Sequence, residues 1–244
     1  MFEYDLPKEL IANSPVEPRD AARLFVYSAK TDEIILDIFS NLVRYIPRGS
    51  VLVLNDTKVV PARLTVAKLT GGAINILFLL NEWDGGAFIK GLPDKGLNLY
   101  EGLFLNGHPV LEPVSHAKEE FNFKILVAPT VFAALFEQYG RTPLPPYIHS
   151  SLSEVEVRKK YQSVFADKPA SVAAPTAALH FTERVFKSLE LKDIITTKVT
   201  LHVGRGTFSP VNDDTHSSGK LHAEPIHVSK ESAEVIRAAK QSGK

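Results

Sequence analysis

The chain changes character within residues 50–64, which read SVLVLNDTKVVPARL. Residues 50–54 form a continuous apolar run, which is typical of a strand buried on both faces of an α/β sheet. Polar residues follow at the carboxyl end of this strand, where open α/β sheets tend to bind ligands. Asn55, Asp56 and Thr57 are therefore candidate binding residues, and a plain polar turn explains them equally well.

Downstream, residues 63–127 have the texture of a small all-β unit. Short β-rich runs alternate with turn pairs such as Gly-Gly, Pro-Asp and Asn-Gly. Regularly spaced short strands of this kind predict a small barrel or sandwich. The predicted strands cover residues 64–69, 74–80, 88–91, 97–104 and 121–127.

Helical and β-branched segments lie on both sides of this β-rich unit. The fold predicted from this order is an α/β domain, with a mixed sheet and flanking helices, into which a small all-β barrel domain is inserted. Residues 1–63 and 149–244 would form the α/β domain, and residues 64–148 the barrel. The predicted helices cover 129–139, 153–165, 183–191 and a segment from 230, and the predicted strands cover 24–27, 34–38 and 194–203.

Composition excludes several classes of protein. The chain has 244 residues, no cysteine, and 28 basic against 28 acidic side chains. Disulfide frameworks, iron–sulfur clusters and thiol nucleophiles are therefore ruled out. Residues 1–140 hold 13 basic and 17 acidic side chains and residues 141–244 hold 15 and 11, so a polyanion-facing surface is expected mainly in the later part. The N-terminus resembles no signal peptide, which predicts a cytoplasmic protein.

Two later segments contain residues that could bind a ligand or exchange a proton. In SVAAPTAALHFT, residues 171–182, small side chains would let a ligand approach the backbone, and His180 could exchange a proton near neutral pH. An Ala-rich packed turn is the alternative. In TLHVGRGTF, residues 200–208, two glycines flank Arg205, which could clamp a carboxylate or phosphate. A plain turn is the alternative here.

The histidines of the later part also suggest a metal site. Six of the eight histidines lie in residues 141–244, and one of them belongs to KLHAE, residues 220–224. However, the chain has no HExxH motif, no HxxxH motif and no cysteine. A metal hydrolase is therefore kept only as a competing hypothesis.

Taken together, several separated segments form an ordered set of motifs. They are YDLPKELIA with PRDAARL near the start, VLNDTKVVPARL at 53–64, GRTPLPPYI at 140–148, YQSVFA at 161–166, SVAAPTAALHFT at 171–182, TLHVGRGTFSPV at 200–211 and KLHAE at 220–224. In this order they resemble the S-adenosylmethionine:tRNA ribosyltransferase-isomerases of queuosine biosynthesis. The resemblance spans nearly the whole chain.

The resemblance implies a transferase-isomerase reaction. The ribosyl part of S-adenosylmethionine would be transferred and isomerised onto 7-aminomethyl-7-deazaguanine at the wobble position of tRNA, giving epoxyqueuosine-tRNA, adenine and methionine. It implies tRNA and S-adenosylmethionine as partners, no membrane, no metal and no prosthetic group, and a monomer when complete. A non-catalytic tRNA- or nucleoside-binding fragment of such an enzyme is the alternative.

Such chemistry needs a base, donors that help adenine to leave, and groups that position the amine. The available acid–base side chains in the matching motifs are His180, His202 and Glu224, and which of them moves the proton stays open. The expected substrate-binding residues are Arg19, Asp20, Asn55, Asp56, Thr57, Arg63, Ala174, Pro175, Thr176, Gly204, Gly206 and Thr207. The expected tRNA-binding residues are Arg141, Tyr147, Arg205 and Lys220.

The sequence departs from the family pattern at three places. The first histidine of the family's His-x-Met-His is lost at Gly219, and Ala178 replaces a glycine. Family members also continue with further strands and helices after the helix at 230–240. We therefore expect a chain that lacks the C-terminal part of the α/β domain and exposes a sheet edge and an apolar face, with poor solubility or association.

Overall fold

The structure is a computed structural model that describes residues 5–145, 147–204, 206, 219 and 223–243. Within these residues, a closed barrel adjoins small sheets that are flanked by helices. None of the described helices is long and apolar enough to cross a membrane. The short 3-10 helices that the described ranges contain in full are Lys8–Leu10, Arg19–Ala21, Phe39–Arg44, Leu80–Glu82 and Thr176–His180.

Six antiparallel strands close the barrel in the order β10-β7-β6-β5-β8-β9. This confirms the predicted all-β unit, although the limits of the two domains stay a prediction. The barrel strands are β5 (Arg63–Lys68), β6 (Ala73–Phe78), β7 (Phe88–Pro93), β8 (Leu103–Leu105), β9 (His108–Ala117) and β10 (Glu120–Ile125).

The longest barrel strand, β9, was not predicted, and the strand predicted at 97–104 shrinks to β8. Pro109 and Pro113 interrupt β9 and read as strand breakers in the sequence. In the structure both prolines lie next to shifts of register, Pro109 opposite Phe104 and Pro113 opposite Phe123. Because a proline has no N–H to donate, irregular positions of this kind are where a strand tolerates it.

Alternating side chains fill the barrel. Leu64 and Val66 point inward and are buried, while Thr65 between them is exposed, as the two-residue period of a strand requires. Helix α1 (Pro129–Tyr139) covers the core with Phe132 and Phe136, which lie one turn apart. Both rings meet Phe78 edge to face, at 5.8 and 5.4 Å between centroids.

Outside the barrel, the described strands form a mixed arrangement. β3 pairs in parallel with β12, β13 pairs antiparallel with β12, β4 pairs in parallel with β11, and β1 with β2 makes a hairpin. The mixed sheet of the predicted α/β domain is thereby confirmed. These strands are β1 (Arg23–Ser28), β2 (Glu33–Ile38), β3 (Val51–Asn55), β4 (Thr57–Val59), β11 (Lys168–Ser171), β12 (Ile195–Leu201) and β13 (Ile226–His227).

The prediction that β3 is buried on both faces is wrong. Leu54 is buried and packs with Val185 and Leu189 of helix α3 (Glu183–Leu191), but Val53 on the other face is 44% exposed. An apolar run indicates that a strand can be buried. Whether its second face is buried depends on residues from other parts of the chain. Thr197, which lies opposite Val53 on β12, donates its hydroxyl to Ser232 at 3.0 Å, so the second face is covered only in part.

The helices α1, α3 and α4 (Lys230–Gln241) begin where they were predicted, because Pro129 opens α1 and side-chain caps mark the starts of α3 and α4. Thr182 and Ser229 each accept a hydrogen bond from the backbone N–H of the third residue of the helix that follows, α3 and α4 respectively. The helix predicted over 153–165 is shorter, α2 (Glu154–Lys160), with a complete capping box at Ser153 and Glu156.

The β1–β2 hairpin exposes an apolar face in the described structure. Phe25 lies opposite Leu36, and Tyr27 lies opposite Ile34. Phe25 is 62% exposed and Leu36 is 79% exposed. The hairpin thus has an exposed apolar face of its own. The sheet edge and the apolar face that were expected from a missing C-terminal part stay a prediction.

Candidate active site

The carboxyl ends of β3 and β12 are joined by the side chain of Asn55. Its Nδ2 donates to the carbonyl oxygen of Leu201 at 3.0 Å, and the N–H of Leu201 donates to its Oδ1 at 3.0 Å. The amide therefore continues the pairing of the two strands where the backbone ladder ends. This places the predicted residues 55–57 beside the segment that follows β12.

Asp56 and Thr57 are both buried at this strand end. Thr200 donates its hydroxyl to Oδ1 of Asp56 at 2.7 Å. The hydroxyl of Thr57 forms a hydrogen bond with Nδ1 of His202 at 2.8 Å. Two segments that lie 145 residues apart in the chain thus meet in one polar group.

His202 is half-buried in this group. Burial lowers the pKa of its imidazole below the ordinary value of 6.5, and the charge of Asp56 acts in the opposite direction without cancelling the effect. The ring is therefore neutral at pH 7 and able to accept a proton. Because Nδ1 is engaged by Thr57, Nε2 is the nitrogen left for a ligand.

Glu224 contacts the backbone of Gly204, which lies two residues after this histidine. The N–H of Gly204 donates to Oε1 of Glu224 at 3.0 Å. A Cβ at Gly204 would lie 3.0 Å from Nδ2 of Asn81, which belongs to the 3-10 helix after β6. The site therefore lies where the sheet meets the barrel, and a side chain at Gly204 would crowd that junction.

Asn81 is a residue that the sequence analysis missed. Its Oδ1 is buried and has no hydrogen-bond partner in the described part of the chain. A buried amide oxygen without a partner is costly, so a ligand donor would relieve it. No motif surrounds Asn81, and only its approach to Gly204 reveals it.

The loop that follows β11 is tied to the strand that carries His202. The N–H of Val203 donates to Oγ of fully buried Ser171 at 2.9 Å, and the N–H of Val172 donates to the oxygen of Val203 at 3.0 Å. Ala174, further along, is buried against Val59, Val157 and Tyr161. At Ala174 the small side chain serves packing, which is the alternative raised for this segment.

His180 lies in different surroundings from His202. Its ring is 5.4 Å from the ring of Phe39, and it lines a cavity of about 320 Å³. Thr176, at the start of the same 3-10 helix, also lines this cavity, and Tyr147 lies at the wall with 60% of its surface exposed. The contacts thus connect Glu224 to the segment that contains His202, whereas His180 lines the cavity.

Most of the cavity's lining is apolar. Tyr161, a second residue that was not singled out, lies in its wall, and burial raises the pKa of its phenol. It opens the YQSVFA motif, which was the available signal. The apolar and aromatic lining residues are Ala12, Pro15, Val16, Leu144, Pro145, Tyr147, Ile148, Leu152, Val157, Tyr161 and Leu179.

Arg19 and Asp20 have partners within the protein. The guanidinium of Arg19 donates to the carbonyl oxygens of Gln162 and Lys159, so it holds the backbone behind the cavity. Asp20 is buried and accepts hydrogen bonds from Thr182 and Arg184. Burial alone would raise the pKa of Asp20, but these hydrogen bonds outweigh it and the pKa is lowered. Their predicted substrate contacts stay a prediction.

Some of the remaining predicted site residues lie in the ranges that the structure describes, and others lie outside them. Pro175 precedes the 3-10 helix of the cavity, and Gly206 is half-buried. Arg63 and Arg141 lie at the edge of the barrel. Among the described residues, no group of three histidine or carboxylate side chains is placed to hold a metal ion. Arg205, Thr207 and Lys220 lie outside the described residues.

This geometry defines a class of protein that combines a mixed α/β sheet with a closed β-barrel. A half-buried neutral histidine and a carboxylate lie at their junction. A family model described as "Queuosine biosynthesis protein" matches residues 1–244. The chain therefore belongs to the queuosine biosynthesis protein family.

The chain is similar to several curated proteins named S-adenosylmethionine:tRNA ribosyltransferase-isomerase. It is 41% identical over 242 residues to the protein of Thermotoga petrophila, covering 99% of this chain and 70% of that protein. It is 38% identical over 248 residues to the protein of Caldanaerobacter subterraneus subsp. tengcongensis, covering 99% and 71%. The protein of Carboxydothermus hydrogenoformans is 37% identical over 252 residues, covering 100% and 71%.

A solved structure is also similar. The crystal structure of S-adenosylmethionine tRNA ribosyltransferase from Thermotoga maritima shares 27% sequence identity, with a TM-score of 0.42. The match covers 100% of this chain and 66% of that chain. The present chain thus spans about two thirds of the solved protein and 70% of the first curated relative.

Proposed function

We propose that this chain acts as an S-adenosylmethionine:tRNA ribosyltransferase-isomerase. The ribosyl part of S-adenosylmethionine is transferred to 7-aminomethyl-7-deazaguanine at the tRNA wobble position and is isomerised, with release of adenine and methionine. A family match over residues 1–244 and relatives of that name at 37–41% identity support the proposal. A cytoplasmic location, a monomeric complete protein and the absence of a prosthetic group belong to the same proposal.

The observation that carries this function is the group around His202. The reaction must begin with removal of a weakly acidic proton from a carbon beside the sulfonium, which requires a neutral base near pH 7. His202 is neutral because burial lowers its pKa, and Thr57 holds its Nδ1. We assign its Nε2 as the atom that accepts the proton.

The neighbours of His202 supply positioning and polar contact. Glu224 fixes the backbone of Gly204, which leaves the loop close to Asn81 of the barrel. The unpartnered Oδ1 of Asn81 would accept a hydrogen bond from a substrate hydroxyl or amine. In this arrangement, the sheet supplies the base and the barrel supplies a polar contact that orients the substrate.

The cavity beside His180 is suited to a flat heteroaromatic base. Its volume of about 320 Å³ and its apolar wall suit a planar ring that is desolvated on binding. His180 and Thr176 add polar groups that could hydrogen-bond to the edge of such a ring. Exposed Tyr147 offers a stacking face at its rim. We therefore place the deazaguanine of the tRNA in this cavity, and the sulfonium carbon beside His202.

Adenine release is the direct test. The chain is mixed with S-adenosylmethionine and tRNA that bears the aminomethyl-deazaguanine, and the mass of the tRNA is followed in parallel. Adenine release with the matching gain of tRNA mass is expected. Bound tRNA without adenine release would instead identify a non-catalytic tRNA-binding protein.

Two histidine variants connect the activity to the site. His202→Gln should abolish adenine release, because an amide cannot accept the proton. His108→Gln is the matched control, since His108 is exposed at the start of barrel strand β9. Equal loss in both variants, or unchanged turnover in His202→Gln, would remove His202 from the mechanism.

A further inference from the structure

A second, polar groove lies next to the apolar cavity. Its volume is about 670 Å³, and five residues of its lining, within 144–152, also line the apolar cavity. The segment 144–152 therefore separates the two spaces. On the groove's far side, its wall includes Arg63, Asn75 and Arg141.

Arg63 and Arg141 are paired across an antiparallel bridge. The N–H of Arg63 donates to the oxygen of Arg141 at 3.2 Å, and the N–H of Arg141 donates to the oxygen of Arg63 at 2.8 Å. Side chains that are directly opposite in such a bridge leave from the same face, with Cβ atoms about 5 Å apart. Two like charges are thus held side by side, which is unfavourable unless an anion compensates them.

The protein holds this pair in place from behind. Gly140 passes so close to Pro61 that its absent Cβ would lie 2.2 Å from the oxygens of Phe136 and Pro61. Arg158 donates from Nη2 to the oxygen of Gly140 at 2.6 Å and from Nη1 to the oxygen of Glu137 at 3.1 Å, which caps the end of α1. These contacts therefore fix the backbone position of Arg141.

Neither guanidinium has a hydrogen bond or an ion pair with any described residue. The nearby carboxylates are engaged elsewhere. Asp94 accepts from the N–H and Nδ2 of Asn75 at 3.0 and 2.7 Å, and Glu154 accepts from Thr142 and Arg158. Burial lowers the pKa of Arg63, with the charge of Asp94 acting the other way, so this charge is desolvated without an ion-pair partner.

We propose that Arg63 and Arg141 form a clamp for a phosphodiester group of the tRNA, which lies in this groove while its base enters the adjoining cavity. Paired guanidinium forks match the oxygens of a phosphate, and such contacts position a nucleic acid without reading its sequence. S-adenosylmethionine has a carboxylate but no phosphate, so the tRNA is the substrate that brings this anion. This inference rests on the proposed function.

The salt dependence of tRNA binding tests the clamp without any turnover. An unmodified tRNA transcript is titrated with the chain at several salt concentrations, in the absence of S-adenosylmethionine. Each lost phosphate contact lowers the slope of log K against log salt by about 0.7 to 0.9, which is about fivefold to eightfold in affinity near 0.1 M salt. Arg63→Gln and Arg141→Gln should each show this loss, whereas Arg141→Lys should retain the slope.

Arg23→Gln is the matched control, because Arg23 is exposed on β1 and lies outside both spaces. Its slope should equal that of the parent chain. Melting temperatures verify that each variant is folded, and the exposed Arg141 keeps the test valid if Arg63→Gln is unstable.

Three results would overturn the clamp alone. The first is an unchanged slope in folded Arg141→Gln. The second is an equal loss of slope in Arg23→Gln. The third is weakened S-adenosylmethionine binding with unchanged tRNA binding, which would assign the pair to the substrate's carboxylate. Failure of adenine release with an intact salt effect would refute the proposed function alone, and a parent chain that binds no tRNA would refute both.

Discussion

Replacing Thr57 by valine tests whether the group around His202 is organised for proton transfer. Valine has nearly the shape of threonine, so the substitution removes a hydroxyl from a site that is only 1% exposed and leaves the packing almost intact. The hydrogen bond that is lost is the one of 2.8 Å to Nδ1 of His202. The imidazole then has no partner that fixes the direction of Nε2.

The size of the expected loss of rate follows from the one hydrogen bond that Thr57→Val removes. A neutral hydrogen bond contributes about 0.5–1.5 kcal/mol net, and a factor of ten in rate corresponds to about 1.4 kcal/mol. We therefore expect kcat/KM for adenine release to fall about threefold to tenfold in Thr57→Val. The group left unpaired should lower the melting temperature by a few degrees at most.

The assay is adenine release as a function of pH, with Thr57→Ser as the control that retains the hydroxyl. Because the pKa of His202 is lowered, the acid limb of the profile should lie below pH 6.5 in the parent chain and in the serine variant. A folded Thr57→Val chain with unchanged kcat/KM would refute the argument that Thr57 orients the base. An acid limb above pH 6.5 in the parent chain would refute the assignment of a burial-lowered histidine.

Three further predictions concern stability. The pKa of Asp20 is lowered in the folded chain, so the ionised carboxylate stabilises the fold above its unfolded pKa of about 4, and this stabilisation is lost as the pH falls through the folded pKa. Asp20→Asn should therefore have a lower melting temperature at pH 7, and its melting temperature should change less between pH 3 and 5 than that of the parent chain. Gly140→Ala should destabilise the chain by several kcal/mol in denaturant titration, because its Cβ would collide with two carbonyl oxygens; Gly72→Ala, where the space is open, should not. Phe78→Ala should cost about 3–5 kcal/mol in the same titration, against less than about 1 kcal/mol for half-exposed Phe88→Ala, and equal costs would contradict the barrel core.

The two adjoining spaces differ in the chemistry of their lining residues. The apolar cavity contains the groups that suit a base, and the groove contains the paired arginines that suit an anion. Segment 144–152 forms a wall of both.

Local features of the sequence predicted the helices well. The start of α4 follows from Ser229, that of α3 from Thr182, and the end of α1 from Gly140. A cap depends on hydrogen bonds between residues that are three or four positions apart, so the sequence contains all the partners. The barrel was predicted as a class for a similar reason, since turn pairs punctuate its strands.

Strand pairing was predicted less well, because it depends on register. β9 was missed since its two prolines are acceptable only at the irregular positions that β8 and β10 create. The exposure of Val53 was missed because an apolar run does not specify how many faces are covered. Neither fact is a property of a short stretch of sequence.

The sequence by itself determined the family, the helix ends, the β-rich character of residues 63–127 and the residue types available for proton transfer. Only the tertiary structure decided that Thr57 meets His202, that Gly204 faces Asn81 and that His180 lies with Phe39 instead. The physical reason is that caps and turns are closed by near neighbours, whereas these contacts join segments separated by more than a hundred residues. Their geometry follows from strand register, barrel closure and packing, which many distant residues set together.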